Sequence, residues 1–211
     1  MVYLVGVQTN QFARAVDLGR SFVGAGIKVL IGGFHVSGTA SMLPEIPTEL
    51  KEAQTLGITL FAGEAEGRLD DLLRAVYENR LEPAYNFLGD LPALQHQSLS
   101  FVPRRHVKRY FGTTGCFDAG RGCPFNCSFC TIINVRGRKS RYRSADDVEQ
   151  LIRTGVAQGV HSYFITDGDF ARNRNNAIKA ESEDLSFNHG CLQRTAATRQ
   201  ERPSARAFRA R

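Results

Sequence analysis

Three cysteines fall within eight residues, Cys123, Cys127 and Cys130, in the stretch RGCPFNCSFC. Three thiolates carried on one short loop can face a single metal centre. Gly120, Gly122 and Pro124 supply the turns that let a backbone wrap around one. A structural zinc site takes four ligands, commonly as two separated pairs, and no second pair follows. A ferredoxin-type cluster spaces its cysteines two apart and adds a distant fourth. A disulfide redox pair would sit in a thioredoxin-like setting without a third thiol beside it. A cubane iron–sulfur cluster held by three cysteines keeps one iron free of protein ligands, and an open position is what separates a reactive metal centre from a structural one. The alternative is a non-radical iron–sulfur or zinc-binding protein with Cys116 as fourth ligand. Cys116 falls inside an expected strand, where it reads more simply as a small core residue.

The elements that must position this loop lie on both sides of it. VYLVGV (2–7) and IKVLIGG (27–33) are short apolar runs suited to buried strands, and GITLFAGE (57–64) is a third. Helical patterns separate them: NQFARAVDLGRSFVGAG with Asn10 as N-cap and Gly24 or Gly26 as stop, then 48–57, then 67–80. This alternation predicts an α/β fold, a partial doubly wound, Rossmann- or flavodoxin-like parallel sheet over residues 1–82. Ligands on such sheets sit beyond the carboxyl ends of the strands, here Gly32, Gly33, Phe34 and His35, and Gly63 and Glu64. Residues 83–112, with three prolines and a basic patch at Arg104, Arg105, Lys108 and Arg109, read as a linker.

A second unit is expected over 113–174: a strand near 113–118, the cysteine loop, a helix over 144–160 with Ser144 as N-cap, and a strand over 161–167. Strand, loop, helix and strand in that order open a β/α barrel, whose loops after each strand carry chemistry. From residue 175 no apolar period survives. The remaining stretch to 211 is expected to be disordered, or translated in a shifted frame.

Charge narrows the function classes. The net charge of +6 comes from the end of the chain: residues 171–211 hold nine Lys or Arg against four Asp or Glu, and the first 170 hold 18 against 17. The body's charge is therefore no evidence for a nucleic-acid groove, and nucleic-acid binding is not expected. No apolar run is long enough to span a membrane, and without a basic region or small-residue cleavage site around the first apolar stretch a signal peptide is not expected. Five unevenly spaced cysteines fit a metal site in a reducing cytoplasm better than a disulfide framework.

With its CxxxCxxC spacing and an aromatic before the last cysteine, FDAGRGCPFNCSFCTI resembles the radical S-adenosylmethionine superfamily. The resemblance implies that Cys123, Cys127 and Cys130 hold a [4Fe-4S] cluster whose open iron chelates the amino and carboxylate groups of S-adenosylmethionine. Reductive cleavage then yields a 5′-deoxyadenosyl radical. It also implies that Phe129 packs near the adenine, that Asp167 and Asp169 contact the amino group, and that a reductant protein such as flavodoxin or ferredoxin supplies the electron. VRGRKSRYR (135–143) is either an electropositive approach for a carboxylate or a solvated basic turn.

The front half resembles the cobalamin-binding domain that precedes the barrel in one radical subgroup. That resemblance adds cobalamin, as a methyl donor, to the candidate cofactors. The matching positions are Gly32, Gly33, His35, Gly63 and Glu64, where missing Cβ atoms would let the backbone approach the corrin. No Asp-x-His-x-x-Gly is present, so histidine ligation of cobalt is not expected, and His35 is placed near the corrin rim or solvent. Compared with the family, the chain looks truncated at both ends. The later barrel strands that carry substrate contacts are missing, so the substrate is unspecified.

Overall fold

The structure is a computed structural model, described for residues 1–97, 103–111, 114–167, 185–188 and 191–194. Four short strands form its first sheet: β1 (Val2–Leu4), β2 (Val29–Gly32), β3 (Ile58–Ala62) and β4 (Ala84–Asn86). All are parallel, in the order β1-β2-β3-β4. Between them run α1 (Thr9–Gly24), α2 (Phe34–Met42), α3 (Thr48–Thr55) and α4 (Leu69–Tyr77).

The two-residue period of the strands sorts their side chains. Val29, Ile31, Ile58, Leu60 and Ala62 face Phe12 and Ala15 of α1, Val36 of α2 and Leu50 and Ala53 of α3. Leu30 and Phe61 point the other way and meet Leu72 of α4. Burying a side chain as fully as Ile31 or Ile58 contributes about 1.5–3 kcal/mol. The sheet therefore carries helices on both faces, as expected. Its strand order advances without reversal, however, so these strands do not display the switch point of a doubly wound sheet.

Two of these elements were not expected from the sequence. α2 (FHVSGTASM) carries small residues in place of an apolar stripe, and β4 is only three residues long. β4 falls within the expected linker, yet it pairs with β3, and nearby Leu94 is 1 % exposed. The same stretch also contains α5 (Arg104–His106) and a π-helical turn, Val107–Phe111.

The second sheet starts with β5 (Thr114–Phe117). Then come a two-residue strand β6 (Gly120–Arg121), α6 (Ile132–Arg136), β7 (Arg141–Tyr142), α7 (Ala145–Ala157) and β8 (Ser162–Ile165). β5 and β8 are parallel neighbours. α7 covers one of their faces, with Val148 and Ile152 packed on Phe117, Tyr163 and Ile165. Burial pushes the Tyr163 hydroxyl up to about 12, and that hydroxyl donates to the Ile152 carbonyl at 3.1 Å. At the N-terminus of α7, Ser144 Oγ accepts from the Asp147 N–H at 3.1 Å, and an Asp147 carboxylate oxygen accepts from the Ser144 N–H in return.

Two features depart from the expectations. Cys116 is exposed rather than in the core, because the strand's alternation gives the buried side to Phe117. Beyond β8 the sheet is extended by a hairpin, β9 (Leu185–Asn188) and β10 (Cys191–Arg194), in the order β5-β8-β10-β9. β10 lies antiparallel to β8, whereas a continuing barrel would place a parallel strand there. Both hairpin strands come from the stretch expected to lack structure.

Candidate metal centre

The cysteine loop grows out of a narrow neck. β6 and β7 form a two-stranded antiparallel ribbon with Gly120 opposite Tyr142 and Arg121 opposite Arg141. Everything from Gly122 to Ser140 is the loop that this ribbon closes, and all three cysteines are on it. Gly122 has φ +80°, a left-handed backbone, and a Cβ there would run into the Lys139 carbonyl. Glycine is thus required where the chain enters the loop. The Cys123 N–H donates to the Gly137 carbonyl at 3.2 Å, and the Cys130 N–H to the Cys127 carbonyl at 3.1 Å.

All three thiols are free, with Cys127 exposed and Cys123 and Cys130 partly so. The structure does not draw them together: among the described residues no group of three His, Cys, Asp or Glu side chains is arranged to hold a metal ion. The donor set still fits a [4Fe-4S] cluster, since three soft thiols free of disulfides sit on one loop. Apolar rings beside them face outward, with Phe125 54 % and Phe129 88 % exposed. Cys116, the alternative fourth ligand, lies outside the loop on β5.

Charged groups pack behind the neck. Arg141 grips Glu64 with both terminal nitrogens, Nη2 at 2.6 Å from Oε1 and Nη1 at 2.8 Å from Oε2, and also donates to the carbonyls of Pro92 and Arg136. Arg121 reaches the same Glu64 Oε2 at 3.0 Å, Glu66 at 2.7 Å, and Asp118. Arg143, nearly buried, donates through Nε to the Asp118 carbonyl at 3.0 Å. Burial alone would raise the Glu64 carboxyl, but the bonds and charges of Arg141 and Arg121 outweigh it and hold the group below the ordinary glutamate value. The same acidic neighbours keep the Arg121 guanidinium strongly protonated despite its burial.

This changes the reading of the basic run 135–143. Arg141 and Arg143 form neither an open approach for an anion nor a solvated turn, because they are spent on Glu64 and Asp118. Asp118, Arg121 and Glu66 were missed from the sequence. The available signal was two acids in GEAEG matched by arginines flanking the cysteine loop.

Asp167 lies two residues past the end of β8, beside the start of this loop. Its Oδ1 accepts the Ala119 N–H at 2.6 Å, while Oδ2 is buried without a partner. Burial pushes its carboxyl up, and the Gly120 and Ala119 N–H groups only partly offset that. Asp169 lies outside the described residues.

The strand-end positions of the first sheet have local roles. Gly33 has φ +141°, and a Cβ there would strike the backbone of Gly6 and Val7. Gly32 lies against the Phe61 carbonyl, and Gly63 against Phe87 with its N–H on Ser37 Oγ at 3.1 Å. His35 is 7 % exposed, in the first turn of α2, and so not at solvent. Its Nδ1 is 3.3 Å from Thr9 Oγ1, its ring lies against Phe12, and Nε2 stands 3.1 Å from Glu49 without the alignment of a hydrogen bond. No helix among the described residues is long and apolar enough to cross a membrane.

Comparison with known proteins adds what the chain is similar to. Residues 118–199 match the model of the radical SAM superfamily. Bacteriochlorophyllide d C-8(2)-methyltransferase of Chlorobaculum tepidum is 28 % identical over 171 residues, covering 78 % of this chain and 35 % of the relative. Ribosomal protein uS12 methylthiotransferase RimO of Nitratidesulfovibrio vulgaris is 39 % identical over 69 residues, covering 33 % of this chain and 14 % of the relative. The chain thus spans about a third or less of these relatives. Among solved structures, the radical S-adenosylmethionine methyltransferase TsrM from Kitasatospora setae, with cobalamin and a [4Fe-4S] cluster bound, superposes with a TM-score of 0.55. Identity there is 19 %, over 83 % of this chain and 39 % of that one. The mixed α/β fold with a parallel sheet is shared, and the stretch that carries the three-cysteine loop is similar to radical SAM domains.

Proposed function

We propose that this chain is part of a radical S-adenosylmethionine enzyme of the group-transfer kind, with Cys123, Cys127 and Cys130 as ligands of a [4Fe-4S] cluster. The carrying observation is that the family match runs through a loop with three free thiols, closed at its neck by a bonded ribbon. When bound, the cluster supplies the electron that breaks the sulfonium bond of S-adenosylmethionine at an iron without a protein ligand. The chain's own residues hold and shield. Gly122 turns the backbone into the loop, and the exposed ring of Phe129 is available to cover the adenine. The buried, unpartnered Oδ2 of Asp167 is an acceptor suited to an ammonium group. The methyltransferase and methylthiotransferase relatives support transfer of a one-carbon or methylthio group. A reductant protein is needed to deliver the electron, and 1–82 and 113–174 are proposed as the two functional units.

Cobalamin is a second reading, favoured by the fold likeness to a chain with that cofactor bound. The positions assigned to it do not fit well: Glu64 is held by two arginines, His35 is buried, and Gly33 and Gly63 are packed on neighbouring backbone.

Anaerobic reconstitution tests the main proposal. About four irons per chain, and an electron paramagnetic resonance signal of the reduced protein that shifts on adding S-adenosylmethionine, are expected. Iron with an indifferent signal would overturn the proposal. Titration with hydroxocobalamin, followed by absorbance, decides the second reading separately.

A further inference from the structure

We propose that Glu64 is the positioning residue of the cysteine loop, a single carboxylate carried by the first sheet that bolts together the two arginines facing each other across the loop's neck. Arg121 and Arg141 are register partners on the β6–β7 ribbon. Like charges placed directly opposite on an antiparallel pair repel, so this neck would spread if left to itself. Glu64 lies between them, bidentate to Arg141 and sharing Oε2 with Arg121. Its side chain is 10 % exposed, so water screens the interaction little.

The placement gives the bolt its direction. Glu64 sits two residues past β3, on the turn into α4, and belongs to a different sheet from the loop it closes. Arg121 has further partners in Asp118 and Glu66, whereas Glu64 is the carboxylate that joins Arg121 to Arg141. Two residues after Arg121 comes Cys123, the first of the three thiols. Loss of Glu64 therefore strips the β7 side of its carboxylate partner, leaving Arg141 only the Pro92 and Arg136 carbonyls, while Arg121 on the β6 side keeps Asp118 and Glu66. The geometry stands without any metal, while its consequence for a cluster rests on the function proposed above.

The test is site-resolved alkylation of the reduced, metal-free full chain with iodoacetamide, read by mass spectrometry. In E64Q, the partly covered Cys123 and Cys130 should react about tenfold faster than in wild type, the change expected from losing one charge-assisted hydrogen bond, while the exposed Cys127 and Cys116 keep their rates. R141Q approaches the neck from the other side and should reproduce the pattern. The double variant should be no faster than either single one, and E64D should restore part of the protection. Unchanged rates at Cys123 and Cys130 in both single variants overturn the inference, as does a uniform rise that includes Cys116, which would mean general unfolding. Iron content of the reconstituted wild type is measured in parallel. A chain that shows the alkylation pattern but holds no iron refutes the cluster proposal alone, and a four-iron chain whose alkylation ignores Glu64 refutes the bolt alone.

Discussion

Arg141 and Arg121 face each other across the two-stranded neck of the cysteine loop, and both donate to the carboxylate of Glu64 from the other sheet. Removing one partner of such a buried pair leaves uncompensated charge. E64Q should lower the stability of the chain by roughly 3 kcal/mol at neutral pH, measured by urea unfolding.

The same pair sets a pH signature. Glu64 has a folded-state pKa below the ordinary glutamate value of 4.5, so its contribution is complete above that value and is lost as the pH falls through the lowered one. Arg121, Arg141, Glu66 and Asp118 are the charged groups around it. The stability gap between wild type and E64Q should stay level from pH 7 to about 4.5 and narrow below that. A gap that widens on acidification contradicts the assignment.

Asp167 has the opposite sign. Its folded pKa is raised by burial, so its protonated form favours the native state, and that advantage disappears as the pH rises through the raised value. D167N keeps an oxygen for the Ala119 N–H and should gain on wild type in thermal unfolding between pH 3 and pH 7. D167A loses the acceptor and should cost about 1–3 kcal/mol.

Gly33 tests the packing of the first sheet. G33A places a Cβ against the Gly6–Val7 backbone and forces a left-handed conformation, which should cost about 1–3 kcal/mol in strain alone. A change in unfolding free energy below about 0.5 kcal/mol, the size of an ordinary surface substitution, would show that the close approach is absent.

The sequence carried much of this, for identifiable reasons. The apolar runs of β2 and β3 and the capped pattern of α7 are strong local signals, and the cysteine spacing is a chemical one. β4 and α2 were illegible because three residues hold no period and small residues draw no stripe. Cys116 was misplaced because a strand's two faces cannot be told apart until its neighbours are known. Glu64 looked like a ligand because it follows a strand end. Its partners Arg121 and Arg141 lie 57 and 77 residues away, and nothing local announces a contact across that separation.

Cysteine substitution separates the proposed cluster ligands from the alternative. C123S, C127S and C130S should each lose most of the reconstituted iron, while C116A should retain it. Loss of metal in C116A would instead support a four-cysteine site.

The most direct measurement is electron–nuclear double resonance on the reduced, reconstituted protein with S-adenosylmethionine labelled at its amino nitrogen and carboxylate oxygen. Hyperfine coupling of both labels to the iron–sulfur spin is the expected result, because the proposed set of three cysteine ligands leaves one iron open to the cofactor. A fully sulfur-ligated cluster that shows no coupling to either label, or zinc in place of iron, would contradict it.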